Sequence, residues 1–297
     1  MGLMDTKIFF FFVAVMIAVT FSFNDFFYNS FTNQIFFFLI PILWPGIAHG
    51  SLDILTAKRK KIIKNKKDVF FFLLIYLLIP LLFFLLWINS PNLIFLTFLI
   101  LSIFHFGISD CISSKSKIDK VLEIIIRGMI VICLPIELHF SETLEIFKFL
   151  LVDEQFIFLI RNYNQILIYF ILIFFLIWLF VNFKKNHFQI MKNRVLIEFL
   201  GLFFCFWYFT PLISFFIYFC FLHSVRHLIS EKNFLKLSTL ELIIKTLPFT
   251  FLVIFTLISS FFFLTIFEIE FEYLNYLIIG LASLTVSHIL LVNFTKN

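Results

Sequence analysis

Long apolar runs separated by short polar or charged connections recur along the whole chain, at lengths that suit a bilayer. They predict membrane-spanning helices near 8–23, 35–56, 69–88, 92–112, 121–138, 163–182, 196–209, 211–229, 246–266 and 273–293. The first run follows Lys7 and resembles a secretory leader in length. It lacks a small-residue cleavage site and continues into Phe21-Ser-Phe-Asn-Asp25, so an uncleaved span is expected. The stretch 196–229 is too long for one crossing and tight for two. Thr210-Pro211 in its middle signals a helix break.

Charge decides between one crossing and two. Lys58, Arg59, Lys60, Lys61, Lys64, Lys66 and Lys67 form one basic loop, and Lys115, Lys117 and Lys120 a second. Lys184, Lys185, Lys192 and Arg194 form a third; Arg226, Lys232, Lys236 and Lys245 form a fourth. The loops between them are poor in bases, and 267–272 carries Glu268, Glu270 and Glu272 with none. With two crossings in 196–229, every basic cluster falls on one side. The positive-inside rule then gives ten spans with both termini cytoplasmic, in the cell (inner or plasma) membrane.

Composition agrees with this pattern. The 297 residues are 62% hydrophobic and 14% charged, with a mean hydropathy of +1.07. A soluble domain of this length could not hide so much apolar surface, so the expected fold is all-α: one polytopic helix bundle over 1–297. The lipid bilayer is the expected partner, and no nucleic acid is. Phe supplies 51 residues, part of a bias toward Phe, Ile, Lys and Asn that reflects an AT-rich genome more than a function. Cys111, Cys133, Cys205 and Cys220 lie in or beside apolar segments without metal-type spacing and read as packing residues.

The chemistry lies in the histidines. His223 and His227 are four residues apart in Tyr218-Phe-Cys-Phe-Leu-His-Ser-Val-Arg-His-Leu-Ile229, which puts both imidazoles on one helix face where they can share a metal ion. Arg226 sits between them. His49 ends the second predicted span, His105 the fourth, His223 and His227 the eighth, and His288 lies near the end of the tenth. The topology therefore sets five histidines at one membrane depth, where polar groups are costly and tend to mark function. His139 and His187 fall in or beside loops and read as solvated.

Asp53 and Asp110 follow His49 and His105 by four and five residues. They read either as solvated loop-edge residues or as carboxylates that accept a ring N–H and fix its tautomer. Gly46, Gly50 and Gly107 flank the histidines and suit either close helix approach or room for a bulky substrate. Several metal chemistries fit the histidine cluster. A di-iron hydroxylase would need more histidines and a His-His pair; a b-type haem would leave the 223/227 pair without a role. A multi-span haem- or metal-binding electron-transfer or transport protein stays open. A mononuclear non-haem iron site with four histidines uses the residues with least waste.

At these residues the chain resembles the Brp/Blh-like β-carotene 15,15′-dioxygenases, integral membrane enzymes. Pro45-Gly-Ile-Ala-His-Gly-Ser-Leu-Asp53 is similar to the family's G-x-x-H-G-x-x-D, and Phe104-His-Phe-Gly-Ile-Ser-Asp110 to H-F-G-x-x-D. Tyr218-Phe-Cys-Phe-Leu-His-Ser-Val-Arg-His227 is similar to Y-F-x-x-W-H-S-x-R-H, and Ser287-His288-Ile-Leu-Leu291 to a P-H-x-L element. Leu222 stands where the family has Trp, and Ser287 where it has Pro. The resemblance implies that His49, His105, His223 and His227 bind one Fe(II). It implies that O₂ cleaves the central double bond of β-carotene to two all-trans-retinal, with an opsin-type protein as natural user. It makes His288 a residue of the substrate pocket or of the ligands' surroundings, beside Asp53, Asp110, Arg226, Tyr218 and Trp44. For a substrate without hydrogen-bonding groups, Trp44, Trp87, Trp178, Trp207 and Tyr218 are the aromatic contacts on offer.

Overall fold

A computed structural model describes residues 3–23, 33–34, 42–112, 116–184, 194–266 and 274–295, and among these the regular structure is helical throughout. The helices are α1 (Met4–Ser22), α2 (Asp53–Arg59), α3 (Lys66–Asn89), α4 (Pro91–Asp110), α5 (Lys117–Leu138) and α6 (Phe140–Phe149). They continue as α7 (Glu154–Lys184), α8 (Arg194–Tyr208), α9 (Pro211–Tyr218), α10 (Val225–Phe234), α11 (Thr239–Ile266) and α12 (Leu274–Ile289). Local chemistry sets several boundaries. Asn65 and Asp68 cap the start of α3 reciprocally, Ser116 caps α5, and Pro91 and Pro211 occupy the first turns of α4 and α9.

Among the described residues seven segments are long and apolar enough to cross a membrane: Met4–Ser22, Lys66–Asn89, Pro91–Asp110, Glu154–Phe183, Pro211–Phe234, Thr239–Thr256 and Asn275–Phe294. α3 and α7 expose rows of large apolar side chains, among them Phe70, Leu74, Leu81, Ile166, Phe170 and Phe180. Such a surface is costly in water and suits lipid chains.

Three of the ten expected spans are not among these seven segments. The expected span 35–56 is not one helix over its described part. Ile42–Gly46 is a π-type turn broken at Trp44 (φ −148°, ψ 119°), followed by a 3₁₀ segment, Ile47–Leu52. The expected span 196–209 is α8, whose 15 residues rise only about 22 Å against a hydrocarbon core of about 30 Å. The expected span 121–138 is α5, which carries Glu123 and Arg127 on its buried face and so is not apolar throughout. α4, α7 and α8 pack around α5, so those charges meet protein. His187 and the acidic 267–272 connection lie outside the described residues.

The main core lies where α1, α5, α7, α8 and α9 meet, around Phe9, Ile126, Leu202, Phe206, Ile213 and Ile217. α4 and α5 cross closely at two glycines. A methyl added at Gly107 would overlap the Ile124 carbonyl, and one at Gly128 the Ile103 carbonyl. This reciprocal approach of backbones is what small residues allow in a membrane bundle. α12 packs along α3, and Ile47–Leu52 packs on α11.

Candidate functional site: a buried histidine cluster

Five histidines from four separate parts of the chain meet inside the bundle. His49 comes from the 3₁₀ segment, His105 from α4, His227 from α10 and His288 from α12. His223 comes from Phe219–Ser224, a π-type turn that interrupts the run from α9 into α10. Another π-type turn, Leu290–Phe294, follows α12 immediately. Single π turns inside helices are rare and concentrate at functional sites. Here they lie next to three of the histidines or their partners.

All five side chains are buried. His49 has its ring centroid 5.5 Å from His223, 5.6 Å from His227 and 4.8 Å from His288. His105 is 5.0 Å from His223 and 5.3 Å from His288, and His227 is 5.2 Å from His288. A metal–imidazole bond of about 2.0–2.1 Å puts each ligand ring centroid about 3.2 Å from the ion. Two ligand rings then stand about 4.5–6.4 Å apart, from right-angled to opposed. The observed separations fall inside that window.

The Nδ1 atoms of His49, His105 and His288 have hydrogen-bond partners. His49 Nδ1 meets the Gly46 carbonyl closely, with Ser224 Oγ at 3.3 Å. The Asn293 amide (3.2 Å) and Ser109 Oγ (3.4 Å) stand at His105 Nδ1. His288 Nδ1 is 2.9 Å from both oxygens of Asp53, whose Oδ2 also accepts from Tyr76 at 2.5 Å. His223 Nδ1 is 3.3 Å from Asp110 Oδ1, within ion-pair reach but out of hydrogen-bond alignment. Asp110 Oδ2 accepts from Tyr218 at 2.6 Å. Both aspartates are therefore buried partners of histidines, 3% and 1% exposed, and not solvated loop residues.

Several ring nitrogens lack any partner: His223 Nδ1 and Nε2, His227 Nδ1 and His288 Nε2 are buried without a hydrogen bond. Buried polar atoms without partners cost about 1–3 kcal/mol each and call for an explanation. A metal ion would supply one, since neutral imidazole nitrogen is a donor that transition metals take. Among the described residues no group of three or more His, Cys, Asp or Glu side chains stands close enough to hold a metal ion as the rings are placed. Binding would thus draw the nitrogens together from rings that already adjoin.

Arg226 does not point into the cluster. Its guanidinium donates to Asp5 (2.7 Å), Glu198 (2.7 Å) and the Asp110 carbonyl (2.8 Å). Glu198 also meets Arg127 at 2.8 Å and Arg194 at 3.0 Å, Arg127 meets Glu123 at 2.7 Å, and Arg194 meets Asp5 at 2.5 Å. This network joins α1, α5, α8 and α10 directly behind the histidines. Sequence reading missed it, although Glu123 and Arg127 at a four-residue interval in an apolar run were a signal. It also missed Tyr76, Ser109 and Asn293, which carry no motif.

The aromatic residues divide. Tyr218 lies beside His223, as do Phe106 and Phe219. Trp87 and Trp178 are packed in core clusters elsewhere, and Trp44 and Trp207 are exposed at 45% and 57%. His139 is half-buried with its Nε2 3.1 Å from the Phe206 carbonyl, so it joins α5 to α8 and is not simply solvated.

Fold and site together define a helical protein with several candidate membrane spans and a buried polyhistidine centre. Comparison with known proteins is specific at this point. Residues 40–296 match the family model described as beta-carotene 15,15'-dioxygenase. A beta-carotene 15,15'-dioxygenase from uncultured marine bacterium 66A03 is 31% identical over 269 residues, spanning 86% of this chain and 92% of that protein. No solved structure matches. The chain belongs to the β-carotene 15,15′-dioxygenase family and is an enzyme.

Proposed function

We propose that the chain cleaves β-carotene at its central 15,15′ double bond with O₂, at a mononuclear non-haem Fe(II) held by His49, His105, His223 and His227. The observation that carries this is the meeting of those four rings, from distant segments, in a member of this family. In the reaction one C=C bond breaks and each oxygen of one O₂ ends in one retinal aldehyde, so no external reductant is required. Iron in such a ligand set supplies the redox chemistry that lets O₂ react with a carbon–carbon double bond.

The chain's own residues do the rest. Asp110, held by Tyr218, stands 3.3 Å from His223 Nδ1 and would orient that ring once the two align. The Gly46 carbonyl and Ser224 hydroxyl orient His49. Such outward partners fix ring orientation and raise ligand basicity. Phe106, Phe215 and Phe219 form an apolar wall against His223 and His49, which excludes water and suits a hydrocarbon substrate. Nothing lies within 4 Å of a methyl built on Gly50, next to His49. The substrate enters from the bilayer, the enzyme sits in the cell membrane, and an opsin-type protein uses the product.

Expression in a β-carotene-producing bacterium with added iron tests this. The expected result is loss of orange colour with retinal appearing, abolished by His227→Ala in protein that still inserts. Unchanged β-carotene beside an inserted, iron-loaded protein refutes the substrate. A Soret band in the purified protein refutes the non-haem centre.

A further inference from the structure

We propose that His288 is a fifth histidine of the metal site, binding the ion directly through Nε2 while Asp53 and Tyr76 hold its ring. This rests on the iron reading above and extends it. Three observations converge. First, the ring of His288 stands 4.8 Å from His49, 5.2 Å from His227 and 5.3 Å from His105, as deep in the cluster as any of the four. Second, its Nε2 is buried and has no hydrogen-bond partner, while its Nδ1 is taken by Asp53. A neutral imidazole that donates Nδ1–H to a carboxylate presents a lone pair at Nε2, the form a metal binds.

Third, the surroundings of His288 repeat those of His223. Each histidine faces an aspartate through Nδ1, and each aspartate accepts a tyrosine hydroxyl on Oδ2: Tyr218–Asp110–His223 and Tyr76–Asp53–His288. The two sets come from different helices and share no residue. One device serves both rings, and the Asp53 copy is the better aligned, at 2.9 Å against 3.3 Å. A histidine that merely lined a substrate pocket would have no need of a carboxylate clamped by a tyrosine. The turn after His288 reaches the cluster as well, since Asn293 meets His105.

The test uses full-length protein in detergent, with iron content, iron affinity and the visible spectrum of the Co(II)-substituted form as readouts. His288→Ala is expected to bind iron at least about 10-fold more weakly and to change the Co(II) bands, with added imidazole restoring the wild-type spectrum. Tyr76→Phe and Asp53→Asn are expected to weaken iron about 10–100-fold while leaving the pattern of Co(II) bands in place. Should His288→Ala fail to insert, His288→Gln and Tyr76→Phe carry the comparison. Wild-type affinity and an unchanged Co(II) spectrum in the His288 variant overturn the proposal alone. Wild-type protein that takes up no iron overturns the iron reading and this inference with it.

Discussion

Glu198→Leu tests whether the charges behind the histidines hold the bundle together. Glu198 is fully buried and is shared by three guanidinium groups: Arg226 at 2.7 Å, Arg127 at 2.8 Å and Arg194 at 3.0 Å, with the Thr6 hydroxyl on the same carboxylate. Leucine keeps much of the volume but strands those cations among Asp5 and Glu123. Removing one member of a buried ion pair costs about 3–5 kcal/mol, because the partner's desolvation is no longer offset. At about 2–4 °C per kcal/mol, the midpoint should fall by roughly 6–20 °C in a fixed-rate thermal scan of detergent-solubilised protein. The double variant Glu198→Leu with Arg127→Met should recover part of this, since one of the stranded charges goes with the carboxylate. Because Arg226 adjoins His227, iron content should fall alongside stability. A single variant within about 1 kcal/mol of wild type, or a double variant that is merely additive, would refute the view that this network is energetically coupled.

Two further outcomes follow from local geometry. Gly107→Ala and Gly128→Ala each push a methyl into a carbonyl of the facing helix, so each should cost about 1–3 kcal/mol and shift His105, read as lower stability with weaker iron binding. Gly50→Ala, with open space at its Cβ, should leave stability within about 0.5 kcal/mol; equal effects at all three glycines would sink the crossing argument. Lys60 donates to the carbonyls of Leu291 (3.1 Å), Val292 (2.9 Å) and Thr295 (3.2 Å), where a cation complements the end of the last helix. Lys60→Met should cost about 1–2 kcal/mol and speed amide exchange in 286–295, and unchanged exchange there would refute the capping role.

The grouping of the histidines was legible in the sequence. Charge asymmetry oriented the expected spans and grouped His49, His105, His223, His227 and His288; the five rings do lie together, although three of the spans behind that grouping are not among the seven candidates. What stayed hidden has two physical causes. Hydropathy averages over a window, so α5 and α8 read as spans although Glu123, Arg127 and Glu198 lie on their buried faces. Hydrophobic periodicity also assumes regular helix. It cannot register that Trp44 leaves helical geometry or that Phe219–Ser224 forms a π turn, because such turns are set by tertiary contacts. The residues that hold the rings outward, Tyr76, Asn293 and Ser109, share no spacing with the histidines and become visible only when helices pack.

Those irregular segments also explain how the cluster is held. A continuous α-helix offers side chains at fixed steps of about 100° and 1.5 Å, which suits a pair such as His223 and His227 but not five rings from four directions. The π turn at Phe219–Ser224 resets the register between the aromatic wall of Phe215 and Phe219 and the arginine that follows. One stretch of chain can then turn Phe219 and His223 toward the cluster while Arg226 reaches back to Asp5 and Glu198. The 3₁₀ segment does the same for His49, whose Nδ1 is held by the carbonyl of Gly46 one turn earlier while its ring meets His223, His227 and His288. In a lipid-facing bundle no bulk water is at hand to satisfy freed polar groups, so irregular backbone is tolerated only where protein covers it. The buried arginine–carboxylate network lies directly behind the π turn. It follows that loss of Glu198 should disturb the histidines before it melts the outer helices: iron release should precede the main thermal transition in Glu198→Gln, and simultaneous release would mean that the network and the site unfold as one.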